Sequence, residues 1–152
     1  VWLARAELEA AVGEVGLAGS WAGEALRVAA WRPREGREND HRTLPHEADW
    51  LRTALHLTKG CYRGQETVAR VYHLGKPPRR LVMLHLDGSE DSLPGAGAAV
   101  RTAERDVGHV TTAARHYELG PIALALIKRN TPVNAPLEAA GIPAAQEVIC
   151  AP

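Results

Sequence analysis

The stretch Lys59-Gly60-Cys61-Tyr62-Arg63-Gly64-Gln65-Glu66 runs on through Thr67-Val68-Ala69-Arg70-Val71-Tyr72-His73-Leu74 and ends in Gly75-Lys76-Pro77-Pro78. It holds a loop, a helix and a stop. Val68, Val71 and Tyr72 stand at i, i+3 and i+4, which puts them on one face of a helix over residues 64–74. Glu66 falls in the first turn, where the helix dipole favours an acid. Gly75 supplies a C-terminal stop, and the paired prolines prevent continuation because proline lacks the amide N–H and clashes with the preceding turn. Beyond Pro78 the apolar period changes from helical to extended. The chain therefore reads as α+β, with a boundary near residues 76–78 and two units, 1–76 and 77–152.

On the C-terminal side, residues 81–86, 98–101, 107–114 and 122–127 read as strands between Gly, Pro and Asp turns, with 148–150 as a last short one. Five or six short strands predict a small barrel or sandwich. On the N-terminal side, Leu8, Val12 and Val15 recur near helical spacing and predict a helix over 5–15, ended by Gly16 and Gly19. Ser20 is a candidate N-cap for a second helix over 21–31, with Glu24 three residues past Trp21, and Arg32-Pro33 stops it. Residues 34–45 are charge-dense without periodicity and read as a long ordered loop. Residues 48–57 suit a short helix leading to a strand.

The composition bounds the function classes. With 152 residues, 45% hydrophobic and 24% charged, the chain is long enough for one compact domain or two small ones. Eighteen bases cancel eighteen acids, so net charge selects no partner. No apolar run is long enough to span a membrane, and no signal-peptide pattern is present, which makes a cytoplasmic location the expectation. The opening Val1-Trp2-Leu3-Ala4 reads like the interior of a protein and implies a preceding N-terminal half. Two distant cysteines, Cys61 and Cys150, make no disulfide framework and cannot supply four ligands to a zinc or an iron–sulfur cluster.

Chemistry concentrates at Cys61. If its loop folds back on the following helix, the dipole and Lys59 both favour the thiolate. Gly60 and Gly64 free the backbone, and Tyr62 adds an aromatic face with a polar end. The same residues also fit a small buried cysteine in a glycine turn. From Lys59 to Arg80 six cations oppose Glu66, a local charge of +5 that suits an anion site for a small-molecule carboxylate tail or RNA phosphates, or a solvated helix face. His41, His46 and Glu47 have no metal-ligand spacing, and no metal is expected. Gly95-Ala96-Gly97 is a turn, and Cys150 beside Val148 and Ile149 reads as packing.

The run Lys59 to Glu66 resembles the K-G-C-Y-x-G-Q-E signature of the YgfZ-type folate-binding family, a branch of the glycine-cleavage T-protein (aminomethyltransferase) superfamily. His41-Arg42-Thr43-Leu44-Pro45-His46-Glu47 resembles the segment before that signature, residues 26–33 the preceding helix end, and Gly120-Pro121-Ile122-Ala123-Leu124 the C-terminal barrel region. The similarity runs over nearly the whole chain and covers the second half of a typical member. It implies part of a T-protein-like α/β folate-binding domain followed by a small antiparallel β-barrel. It also implies tetrahydrofolate as cofactor, bound between two α/β parts and so not retained by this portion alone.

The resemblance further implies iron–sulfur enzymes or assembly factors as partners, with tRNA modification linked indirectly. Cys61 is then the functional thiol with Lys59 beside it. Trp21, Tyr62 and Arg27 become folate contacts, and Gly60, Arg63, Gly64, Gln65 and Glu66 complete the signature loop. T-proteins use a run like L-R-L-E-A-G whose Glu contacts the ligand. Leu26-Arg27-Val28-Ala29-Ala30-Trp31 stands in its place here, with Ala29 at the acid position. A carboxylate is the natural partner of a pterin's amino-pyrimidinone edge, so Ala29 argues against the T-protein reaction. A folate-dependent aminomethyltransferase and an RNA-binding module are the alternatives.

Overall fold

The computed structural model describes residues 4–13, 16–89 and 91–151. Its centre is a closed antiparallel barrel of β1 (Arg79–Leu86), β2 (Ala99–Arg101), β3 (Asp106–His116), β4 (Gly120–Lys128), β5 (Leu137–Ala139) and β6 (Ile142–Val148), in the order β1-β4-β3-β2-β5-β6. The small antiparallel barrel expected from the sequence is therefore present. β1 runs beside β4 with Leu81 opposite Leu126 and Met83 opposite Leu124, and β6 closes the ring onto β1.

Side chains alternate across these strands. Val82, Leu84 and Leu86 of β1 fill the barrel together with Ala123, Ala125 and Ile127 of β4. The opposite faces carry Leu81 and Met83, and Ile122, Leu124 and Leu126, and these pack under Ala25 and Val28 of α2 (Ser20–Ala29). β1 and β4 are thus covered on both faces, which is why their sequences read as unbroken apolar runs. β5 and β6 carry no such signal. Leu137-Glu138-Ala139 is short, and Ile142-Pro143-Ala144-Ala145-Gln146 is built from residues of low strand propensity. The expected strand at 148–150 is corrected to β6, which ends at Val148.

The remaining described residues are helical. A 3-10 turn (Arg5–Glu7) leads into α1 (Leu8–Val12), ended at Gly13, and buries no residue. Val15, the last apolar position of the expected first helix, lies outside the described residues, as do residues 1–3 of the opening run. α2 begins one residue earlier than expected: Gly19 is its N-cap, and Ser20 is helical without a side-chain cap. A 3-10 turn (Pro45–Ala48) and α3 (Trp50–Thr53) follow the charged loop, and no strand follows them. α4 (Gln65–Leu74) matches the expected helix, with Gly64 at φ +83 as N-cap and Gly75 after it.

The expected α/β portion is absent. Among the described residues before β1 there is no strand, and the only β pairing is the isolated bridge Glu35–Asn39. The reason lies in composition. Between Ala4 and Pro78 the only adjacent β-branched pair is Thr67-Val68, and α4 takes it.

Buried charges tie the helical layer to the barrel. Glu47 is buried and accepts two hydrogen bonds from Arg79, at 3.1 and 2.9 Å. Arg80 is buried at the end of the barrel, where it donates to the carbonyls of Arg129 and Thr131 and to Gln146 Oε1. Among the described residues no helix is long and apolar enough to cross a membrane.

Candidate functional site

The signature loop stands on the outside of the helical layer. Cys61 is an exposed free cysteine, between exposed Gly60 and half-buried Tyr62. Gly64 turns the chain into α4 through a left-handed conformation that a side chain would strain. The amide of Gln65 donates to the carbonyl of Tyr62, closing the loop against the helix start. Lys59 places its ammonium 4.8 Å from the Tyr62 ring centre, a cation–π contact that ties the two ends of the loop together. Arg63 and Glu66 are exposed, and Gln65 is half-buried.

The basic run of 59–80 is smaller in the structure than in the sequence. Arg79 belongs to the Glu47 pair, with Asp40 at 3.6 Å, and Arg80 is inside the fold. Two of the six cations are therefore structural. His41, His46 and Glu47 do not converge either. Glu47 faces Arg79, and burial holds the His46 imidazole below its usual range. Among the described residues, no three His, Cys, Asp or Glu side chains gather as a metal site.

The two thiols differ in chemistry. Cys150 is buried, donates to the carbonyl of Glu47 at 3.3 Å, and burial pushes its thiol up to about 11. At pH 8 a thiol reagent should titrate one cysteine in the native protein and two after unfolding. The unfolded thiol ionises near 9.0 and the folded one near 11, so the folded state holds the proton longer. Stability from this group is complete below pH 9 and declines as pH rises towards 11. Cys150→Ala should flatten that alkaline decline in urea unfolding curves.

A second site lies between α2 and the barrel wall. A cleft of about 400 Å³ is lined by Trp21, Glu24, Arg34, Arg37, Thr112 and Arg115, with the 93–96 turn as its far rim. Trp21 is 81% exposed at its edge, so core packing does not explain this tryptophan. Glu24 accepts from Arg27 Nε and Nη2 and from both terminal nitrogens of Arg34, the closest at 2.6 Å. Burial raises its carboxyl, but bonds and charge from Arg27 and Arg34 outweigh that and leave it below the usual range.

Behind the cleft, Glu38 is fully buried and accepts four hydrogen bonds. Thr111 Oγ1 (3.0 Å) and Thr112 Oγ1 (2.6 Å) donate to Oε1; the Arg34 amide (2.8 Å) and Arg27 Nη1 (3.1 Å) donate to Oε2. In a regular strand Thr111 and Thr112 would point to opposite faces. The register of β3 on β4 shifts between Val110 and Thr112, and this bulge aims both hydroxyls at one carboxylate.

The structure thus brings Trp21 and Arg27 to one region, Trp21 in the cleft and Arg27 in the network behind it, and leaves Tyr62 on the Cys61 loop. Glu38, Arg34, Arg37 and Arg115 were not singled out by the sequence. The charged 34–45 loop held the only signal. Ala29 packs against the apolar cluster between α2 and the barrel, so no carboxylate occupies that position.

A six-stranded closed barrel roofed by one amphipathic helix defines the class. Residues 79–147 match the family model described as the glycine cleavage T-protein C-terminal barrel domain. The chain is 33% identical over 110 residues to a protein of Arabidopsis thaliana named "Putative transferase At1g60990, chloroplastic", an alignment covering 68% of this chain and 24% of that protein. The glycine cleavage system aminomethyltransferase T of Bartonella henselae shares the fold at a TM-score of 0.72 and 22% identity, over 95% of this chain and 42% of that one. The chain thus spans a quarter to less than half of the relatives it matches.

Proposed function

We propose that this chain belongs to a tetrahydrofolate-binding accessory protein that sustains the assembly or repair of iron–sulfur enzymes, with Cys61 as its reactive group and tRNA modification affected through such an enzyme. The observation that carries the reading is the eight-residue run from Lys59 to Glu66 on an exposed loop, with a free thiol at its centre. The match of residues 79–147 to the T-protein barrel family model supports tetrahydrofolate as the cofactor, and Trp21 at the rim of the cleft supplies an aromatic face for it.

The test is rescue of an iron–sulfur enzyme activity in cells lacking the protein. Cys61→Ala in the intact protein is expected to abolish rescue, and Cys150→Ala to retain it. Full rescue by Cys61→Ala would remove the role given to that thiol. The second reading, a folate-dependent aminomethyltransferase, is favoured by the superfamily of the barrel. It predicts turnover of a one-carbon donor. Ala29 in place of an acid, packed against apolar side chains, opposes it.

A further inference from the structure

Arg80 is the largest fully buried side chain described, and no acid answers its charge. Its position alternates with the inward row Val82, Leu84 and Leu86 of β1, so it points into the end of the barrel. Its guanidinium donates to the carbonyls of Arg129 (3.4 Å) and Thr131 (2.9 Å) and to Gln146 Oε1 (2.8 Å), which are all neutral acceptors. The other two fully buried charges are paired: Glu38 with Arg27, Glu47 with Arg79. Among the described residues, the titratable group that acts on Arg80 is the Cys150 thiol, and burial pushes that thiol up to about 11 and keeps it neutral. A guanidinium does not shed its proton in a protein, and a buried charge without a counter-charge costs far more than a missing hydrogen bond.

Two donors at this end of the barrel also lack acceptors. Arg80 Nη1 and Thr131 Oγ1 are sealed from solvent and make no hydrogen bond among the described residues. They belong to side chains already brought together, since Arg80 Nη2 holds the Thr131 carbonyl. Thr131 is 1% exposed and lies in the connection from β4 to β5. It also lines a hollow of about 340 Å3 at the barrel end, walled by Val107, Pro132 and Pro136. Glu104 and Arg105 at the rim of that hollow cancel in charge, so any attraction comes from inside. A water molecule satisfies two donors but brings no charge. A small anion does both.

We propose that the barrel end binds one small monovalent anion, a halide or a formate-sized carboxylate, between Arg80 Nη1 and the Thr131 hydroxyl. The ion accepts from both donors and neutralises the guanidinium. It enters by way of the hollow beside Thr131. The seal around the two donor atoms excludes bulky anions. Occupancy ties the β4–β5 connection to β1, so the ion stabilises the fold by mass action and is independent of Cys61 and of folate.

Urea unfolding of the intact protein in sodium chloride, sodium formate and sodium gluconate at constant ionic strength tests this. Gluconate is too bulky for the sealed end and serves as the reference. One ion bound by the folded state alone makes the folded-to-unfolded ratio rise about tenfold for each tenfold rise in the ion above its dissociation constant. Chloride or formate is expected to give that response. A response to chloride assigns a spherical ion, and a response to formate alone assigns a carboxylate. Thr131→Val keeps the side-chain shape and removes one donor, and should move the response to about tenfold higher concentration. Arg80→Met would also remove the bonds to Arg129, Thr131 and Gln146, so Thr131→Val carries the test. Equal stability in all three salts would overturn the proposal and leave water as the partner of both donors. An unchanged response in Thr131→Val would overturn it too, since the ion would then sit elsewhere.

Discussion

Replacing Gly108 by valine is expected to destabilise the barrel by about 3 kcal/mol or more, read as a lowered midpoint of urea unfolding. β3 passes so close to β4 here that a Cβ would run into the carbonyl oxygen of Leu126 and lie 2.7 Å from Ile127 Cα. These are backbone atoms, held in register by the Gly108–Ile127 pairing, and cannot turn aside as a side chain would. The branched residue must push the two longest strands apart at a point where Val107, Val110 and Ile127 fill the barrel. Gly95→Ala is the control. Its Cβ would meet nothing within 4 Å, so its effect should stay within about 0.5 kcal/mol. Equal stability of the two variants would mean that β3 and β4 are not paired in this register.

Gly108 marks where the sequence was readable and where it was not. β1 and β4 were legible as strands because two covered faces demand apolar residues at nearly every position, and such runs stand out in one dimension. The helix at 65–74 was legible because its period, its glycine ends and the Pro77-Pro78 stop agree with one another. β5 and β6 were not legible. They are held by ladder bonds to β2 and β1, and alanines suffice for that because the barrel wall already closes around them. The close approach at Gly108 is a property of strand pairing and leaves no local trace. The α/β expectation for residues 1–76 came from the family resemblance and not from a strand pattern, and that is where it failed.

The candidate sites divide in the same way. The Cys61 loop is one continuous run, so its glycine turn could be argued from sequence, while the sequence left Cys61 open between a buried and an exposed thiol and the structure places it in solvent. The cleft is assembled from α2, the 34–38 loop, the 93–96 turn and β3. Arg27 and Thr112, which touch at 3.0 Å, are 85 residues apart. No spacing rule reaches that far. The charges of residues 34–38 read as part of a long ordered loop, and only the fold shows that one of them, Glu38, turns inward.

Glu38 is accordingly the second position with a large expected effect. Glu38→Ala should destabilise the protein by about 3 kcal/mol, because removing one partner of a buried ion pair strands the other charge together with its neighbouring donors. Arg27 Nη1, the hydroxyls of Thr111 and Thr112 and the Arg34 amide would all lose an acceptor. Arg27 keeps Glu24 and the carbonyl of Arg32, and Thr111 keeps the carbonyl of Leu124, so the loss is partial and folding should survive. Removing both charges in Arg27→Met/Glu38→Leu should recover part of the loss, since a buried pair is often replaceable by apolar groups of similar size. The carboxylate also anchors the loop that carries Arg34 and Arg37 to the bulge of β3. A stability loss below about 1 kcal/mol in the single variant would mean that water reaches Glu38, and that the bulge at Thr111, not the carboxylate, sets the position of the loop.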